Sequence, residues 1–368
     1  MVAQGAIVWK RGSAAIGVLA LVGTAKGLFL LSADADRRRW AVEGPLLEGW
    51  GVYHATVDTR SGTVYAATNH RVYGSTVQRS SDGGSTWTRS KQIGLPEDSG
   101  MTLNAVWHVE PGRPEEPDTL YLGADPGVLF RSDDGGESWA VNRGLLDHPT
   151  RANWFAGAGG MTCHSIQLDP RDPRRMYVAV TSAGCFRSDD GGETWIPINK
   201  NLVTEFLGDP HSEVGQCPHK LLLHPARDRL WQQNHFGVYR SDDQGDSWLR
   251  VDENGLPSSF GFPIMLDPSD PDKAFVIPET SFEYHYSPGR LAVYRTRDGG
   301  ESWGLMADGL PEQAWAAVLR EAAAFDAESL YFGTQSGSFF ALTEGDKWVE
   351  GVRHLPPILS VEVTEWFV

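Results

Sequence analysis

The chain has 368 residues, 40% of them apolar, with 41 Gly, 22 Pro and 14 Trp. That suits one large β architecture with a substantial core and many turns. Lys and Arg number 32 against 48 Asp and Glu, a net charge of −16, which argues against a general binder of nucleic acid or anionic membrane, because phosphate contacts need a basic footprint. Three cysteines are too few for a disulfide framework and fit a reducing, cytoplasmic setting.

In chain order, Lys10-Arg11 and the run to Thr24 look superficially like a secretion signal. Val18 to Leu31, however, alternates about Gly27 like a strand pair. Residues 1–12 are therefore expected to form a loose extension and residues 13–368 a single domain. No run reaches the roughly 18 apolar residues of a membrane span.

From Ser80 onward a repeat dominates. Ser80-Ser81-Asp82-Gly83-Gly84-Ser85-Thr86-Trp87 recurs at Ser132–Trp139, Ser188–Trp195, Ser241–Trp248 and Thr296–Trp303. Two degenerate copies flank these, Ser32 to Trp40 and Thr343 to Trp348, so the seven tryptophans stand 45 to 56 residues apart. Hydroxyl and Asp side chains can bond amides inside a tight turn, glycine supplies positive φ, and Trp packs between layers. Around the third full copy lie four short β-rich runs: His164–Leu168, Met176–Val180, Gly184–Ser188 and Trp195–Ile198. Four strands per unit of about 50 residues make a propeller blade.

On these five intact boxes the chain resembles the Asp-box (BNR) repeat proteins, among them bacterial members labelled sialidase-like or glycosyl-hydrolase-like, and it is similar to photosystem assembly factors. The resemblance implies a β-propeller and leaves function open. An all-β, seven-bladed propeller is expected, with Ile358–Val363 filling the innermost place of blade one, where the N-terminal segment supplies only three strands.

The boxes and the turns at Asp169, His224, Asp267 and Glu110 belong to one face. The opposite mouth gathers the remaining loops, of which Ala140–Cys163 and Ile196–Pro218 are longest. Counting back from the turns puts His164 and His219 in one register, with Phe262, Ala105, Tyr53 and Glu321 at the corresponding positions and His54 one step on. With His235 from the next loop, His164 and His219 form a candidate site for one divalent transition metal; zinc, iron and copper all suit such imidazoles. Channel hydrogen bonding is the plain structural alternative. Glu279, Glu321 and His54 are the candidate catalytic groups; Tyr53, Trp154, Phe262 and Asn234 the candidate substrate contacts. Glu283 and His285 belong to the same loop cluster as Glu279.

The reading that follows is a monomer that binds a small molecule at the mouth, with no nucleic acid or membrane partner, and possesses metal-dependent hydrolase or lyase-like chemistry. A glycoside hydrolase other than a sialidase, or an assembly scaffold, are the alternatives. Sialidase activity is excluded because the blade count is seven and the Phe/Tyr-Arg-Ile/Leu-Pro segment of those enzymes is absent.

Overall fold

The structure is a computed structural model that describes residues 17–280, 289–326 and 328–366. The expected extension at residues 1–12, and Glu283 and His285, lie outside them. Seven four-stranded antiparallel sheets form one ring. Blade two shows the pattern: Gly51–Asp58 innermost, then Thr63–His70, Gly74–Ser80 and the short outer Thr88–Arg89. Blades three to seven repeat it from the inner strands Ala105–Pro111, Cys163–Leu168, Pro218–Leu223, Gly261–Asp267 and Ala323–Phe325. Among the described residues no helix is long and apolar enough to cross a membrane.

Blade one is assembled from both ends of the chain. Ile358–Trp366 pairs antiparallel with Gly17–Thr24, followed outward by Gly27–Asp34 and Trp40–Leu46. The Val361 amide bonds the Glu321 carbonyl at 2.8 Å and the Ile358 amide that of Thr334 at 3.2 Å. The last strand thus joins blade seven to blade one and removes the open edge that a linear array would leave.

Each of the five intact turns is held by the same bonds. In blade four, Gly192 N–H donates to Ser188 Oγ at 2.8 Å, Thr194 N–H to Asp190 Oδ1 at 2.9 Å, and Thr194 Oγ1 to Asp190 Oδ2 at 2.6 Å. Gly191 and Gly192 take φ of 81° and 93°, where a side chain would be strained. The tryptophans of blades four to seven tie neighbouring blades together. Trp248 Nε1 donates to Ile198 O at 2.6 Å, Trp303 to Val251 O at 2.7 Å and Trp348 to Met306 O at 3.1 Å, each reaching the preceding blade.

These bonds account for the turn residues without chemistry. Bonds from Thr194 hold the Asp190 carboxyl at about 2, so its contribution is complete above the ordinary Asp range and fades as pH falls below about 4. Asp190→Ala should cost about 1–3 kcal/mol by stranding turn amides, read as a lower denaturant midpoint with ligand binding at the mouth unchanged. Loss of binding at full stability would contradict a purely structural role.

The inner strands share a further feature. In blades two to six the ladder slips once near the mouth: between Val52 and His54, Val106 and His108, Cys163 and Ser165, Pro218 and Lys220, and Gly261 and Ile264. The last strand slips likewise about Leu359. A bulge re-aims side chains at the rim of a closed sheet. It lets two consecutive residues serve the channel, one at the mouth and the next deeper in.

Candidate functional site

The bulge residues build the mouth. Tyr53, Trp107, His219, Phe262 and Leu359, with Arg320 from the start of blade seven, line a cavity of about 600 Å³. Phe155 and Phe206, from the two long loops, and Phe260 complete its aromatic wall. Tyr53 meets Trp107 edge-on at 4.9 Å, and His219 stacks on Phe262 at 4.6 Å. Arg320 sits 5.6 Å from the Trp107 ring and 5.8 Å from Phe262. Its Nη1 donates to Thr162 and Thr181 hydroxyls at 3.3 and 3.0 Å. Burial works against its charge, and no carboxylate ion-pairs with it among the described residues. A second, wider depression of about 1110 Å³, lined by His70, Arg71, Tyr73 and Asn104, adjoins the first through the shared Tyr53 and Leu359. At its rim Tyr73 is largely exposed and stacks with His70 at 4.7 Å and Trp50 at 6.2 Å.

Below the mouth the second bulge residues line the channel. Lys220 Nζ lies 2.6 Å from Glu321 Oε2, and His108 Nδ1 lies 3.4 Å from the same oxygen. Burial would raise the Glu321 carboxyl, but Lys220 and then His108 hold it well below the usual range. His108 is disfavoured as a cation by burial, yet Glu321 and Glu110 lift it to about 9. His54 lies tilted beside it at 4.0 Å, and burial together with the His108 charge keeps His54 neutral. Glu362 is pushed up to about 7 by burial and by Glu110.

Several sequence expectations need correction. His164 does not join His219 and His235: its Nδ1 is 3.0 Å from Ser165 Oγ and its Nε2 3.0 Å from Pro218 O, so both nitrogens are spent between blades four and five. The group that does come together is Cys217, His219 and His235. Even there, the His219 Nδ1–H donates to Gly261 O at 2.6 Å. Asn234 is fully buried at the end of its strand, bonded to Gln232 and to the Phe236 amide, and does not reach the cavity. Trp154 is core, packed on Phe186 at 4.9 Å beneath Arg151, with Nε1 bonded to Thr150.

Glu279 is buried outside the cavity wall, against the Val318 amide, and burial drives its carboxyl up to about 8. Glu321 does line the cavity, as a carboxylate locked to Lys220 rather than a group poised to exchange protons. Tyr53 and Phe262 line it too, and His54 lies in the channel below. Sequence reasoning missed Trp107, His108 and Lys220. Blade three's inner strand runs on to Pro111, with the Gly112 amide bonded to Thr119 O. Trp107, not Ala105, therefore occupies the mouth position.

No family model matches the chain. A xyloglucanase of Acetivibrio thermocellus is 27% identical over 214 residues, covering 51% of this chain and 24% of the relative. A Paenibacillus xyloglucanase is 24% identical over 264 residues, covering 63% and 24%. The matches span about a quarter of the length of these curated relatives. Among solved structures, the GH74 xyloglucanase from Xanthomonas campestris superposes with a TM-score of 0.62 at 18% identity, over 95% of this chain and 56% of that one. YCF48 bound to D1 peptide gives 0.55 at 13% identity, over 93% and 95%. Such structural likeness shows the fold alone. The chain is a seven-bladed β-propeller whose curated sequence relatives are glycoside hydrolases of the xyloglucanase kind.

Proposed function

We propose that the protein recognises a glycan at the propeller mouth, and that its repeated turns are Asp boxes serving only to build the ring. The observation that carries this reading is the aromatic-walled cavity of Tyr53, Trp107, Phe155, Phe206, Phe260 and Phe262, which opens at Tyr53 into the wider polar depression. Flat rings bind the apolar face of a pyranose, while Arg320 and the polar rim supply donors for its hydroxyls. Similarity to xyloglucanases supports the same ligand class.

Hydrolysis is the second reading, and that similarity favours it. Glycoside hydrolysis needs two carboxyl groups about 5–9.5 Å apart across the scissile bond. Among the described residues the cavity wall carries one, Glu321, and Lys220 holds it ionised. Recognition is therefore what this geometry supports best, ahead of a hydrolase or lyase. Titration with xyloglucan oligosaccharides, followed by Trp fluorescence, should give saturable binding. Trp107→Ala should weaken it at least tenfold, about 1.4 kcal/mol. Binding that survives this change intact would place the sugar elsewhere.

A further inference from the structure

Two ligand atoms below the mouth are buried without a hydrogen-bond partner, His54 Nδ1 and Glu321 Oε1, and His108 Nδ1 makes only the long 3.4 Å approach to Glu321 Oε2. His54, His108 and Glu321 each offer a ligand atom within 4.8 Å of the others. All three side chains are buried, at 4–5% exposure, which makes stranded polar atoms costly.

Their other atoms are already oriented. His108 Nε2 faces Glu110 Oε2 at 3.2 Å, and His54 is packed between the His108 ring and the Val109 backbone. Glu321 Oε2 is fixed by Lys220. Outer partners of this kind set the tautomer and aim of metal-binding imidazoles, leaving the inner nitrogen as the ligand. Glu110, Glu321 and Glu362 face Lys220 and a protonated His108 in this part of the channel, and a bound ion would displace the His108 proton, so its two charges replace one positive charge instead of adding to an already positive site.

We propose that His54, His108 and Glu321 bind one divalent transition-metal ion of the zinc class in the central channel. Two imidazoles and one carboxylate suit zinc and its neighbours rather than calcium or magnesium, which favour all-oxygen shells. Zinc bonds of about 2.0–2.2 Å place ligand atoms roughly 3.3 Å apart, so the three side chains close by small rotations. Glu321 also lines the mouth cavity, which puts the ion at the floor of the proposed sugar site. The inference goes beyond glycan recognition and does not depend on it.

The test uses the full chain, purified without a histidine tag and stripped with chelator, then titrated calorimetrically with Zn²⁺ and spectroscopically with Co²⁺. One ion per chain is expected. Its cobalt spectrum should be that of nitrogen and oxygen ligands, without a thiolate charge-transfer band. His108→Ala should weaken zinc at least a hundredfold, and Cys217→Ser should leave it unchanged. No zinc binding by the wild type would overturn the proposal. So would a thiolate band, or affinity lost with Cys217 and kept with His108→Ala, which would move the ion to the Cys217–His219–His235 group. The wild-type cobalt spectrum decides between the two groups even where a variant fails to fold.

Discussion

Deleting Pro357 to Val368 is expected to leave a protein that aggregates and shows no cooperative unfolding. The final strand is the innermost of blade one, so its loss bares the edge of Gly17–Thr24, in which Val18 to Val22 are all buried. Ile358 and Val361 are also part of the apolar cluster that runs from blade six through blade seven into blade one. Deletion removes that packing and the bonds to Glu321 and Thr334 together. An exposed, apolar strand edge is a template for pairing with other chains. Size-exclusion chromatography and a thermal melt of the truncated chain give the check. A soluble truncation that melts like the full chain would contradict the closure.

The second large effect is expected from Lys220→Met. Lys220 and Glu321 form a buried pair at 2.6 Å, with side chains 11% and 4% exposed. Removing the ammonium leaves a buried carboxylate supported by His108 alone. Breaking such a pair from one side costs about 3–5 kcal/mol, and His108 places this case near the lower figure. Adding Glu321→Gln should recover most of the loss, because the stranded charge goes with it. Urea unfolding of the two single variants and the double variant measures this directly.

The pH dependence has a definite sign. Glu321 is held below the ordinary Glu range in the fold, so its contribution is complete above about pH 4.3 and is lost as pH falls further. The penalty in Lys220→Met should therefore shrink in acid. A variant as stable as wild type at pH 7, or a penalty that grows in acid, would rule out this pairing.

The ring was legible in the sequence because its signal is periodic and local. Seven tryptophans at blade spacing, and a box whose hydroxyl and carboxylate bond the turn that contains them, fix blade number without knowledge of tertiary contacts. Ile358–Val363 was assigned to blade one because that blade otherwise had three strands. The site was less legible because it depends on registers between blades. Strict alternation allots one face to every second residue, whereas the bulges after Val52, Val106 and Pro218 let neighbours such as His219 and Lys220 both serve the channel.

A count from the turns also failed where the turn itself was longer. Blade three's strand extends to Pro111, which hid Trp107 and His108 behind Ala105. Glu321 was placed in the mouth register, where the preceding Arg320 forms the wall and Glu321 lies one step deeper. The misplacement of His164 has another cause. Its register is the same as that of His219, but the neighbouring Ser165 hydroxyl and Pro218 carbonyl capture both its nitrogens. Pattern alone does not reveal such partners. The repeated Tyr-His, Trp-His, His-Lys and Arg-Glu pairs at 53–54, 107–108, 219–220 and 320–321 were the available signal.

The most direct measurement is the titration of the full chain with xyloglucan oligosaccharides, comparing wild type, Trp107→Ala and the box variant Asp190→Ala. Saturable binding is expected in wild type and in folded Asp190→Ala, with at least a tenfold loss in Trp107→Ala. An absence of binding in wild type, or binding weakened by Asp190→Ala and untouched by Trp107→Ala, would contradict glycan recognition at the mouth.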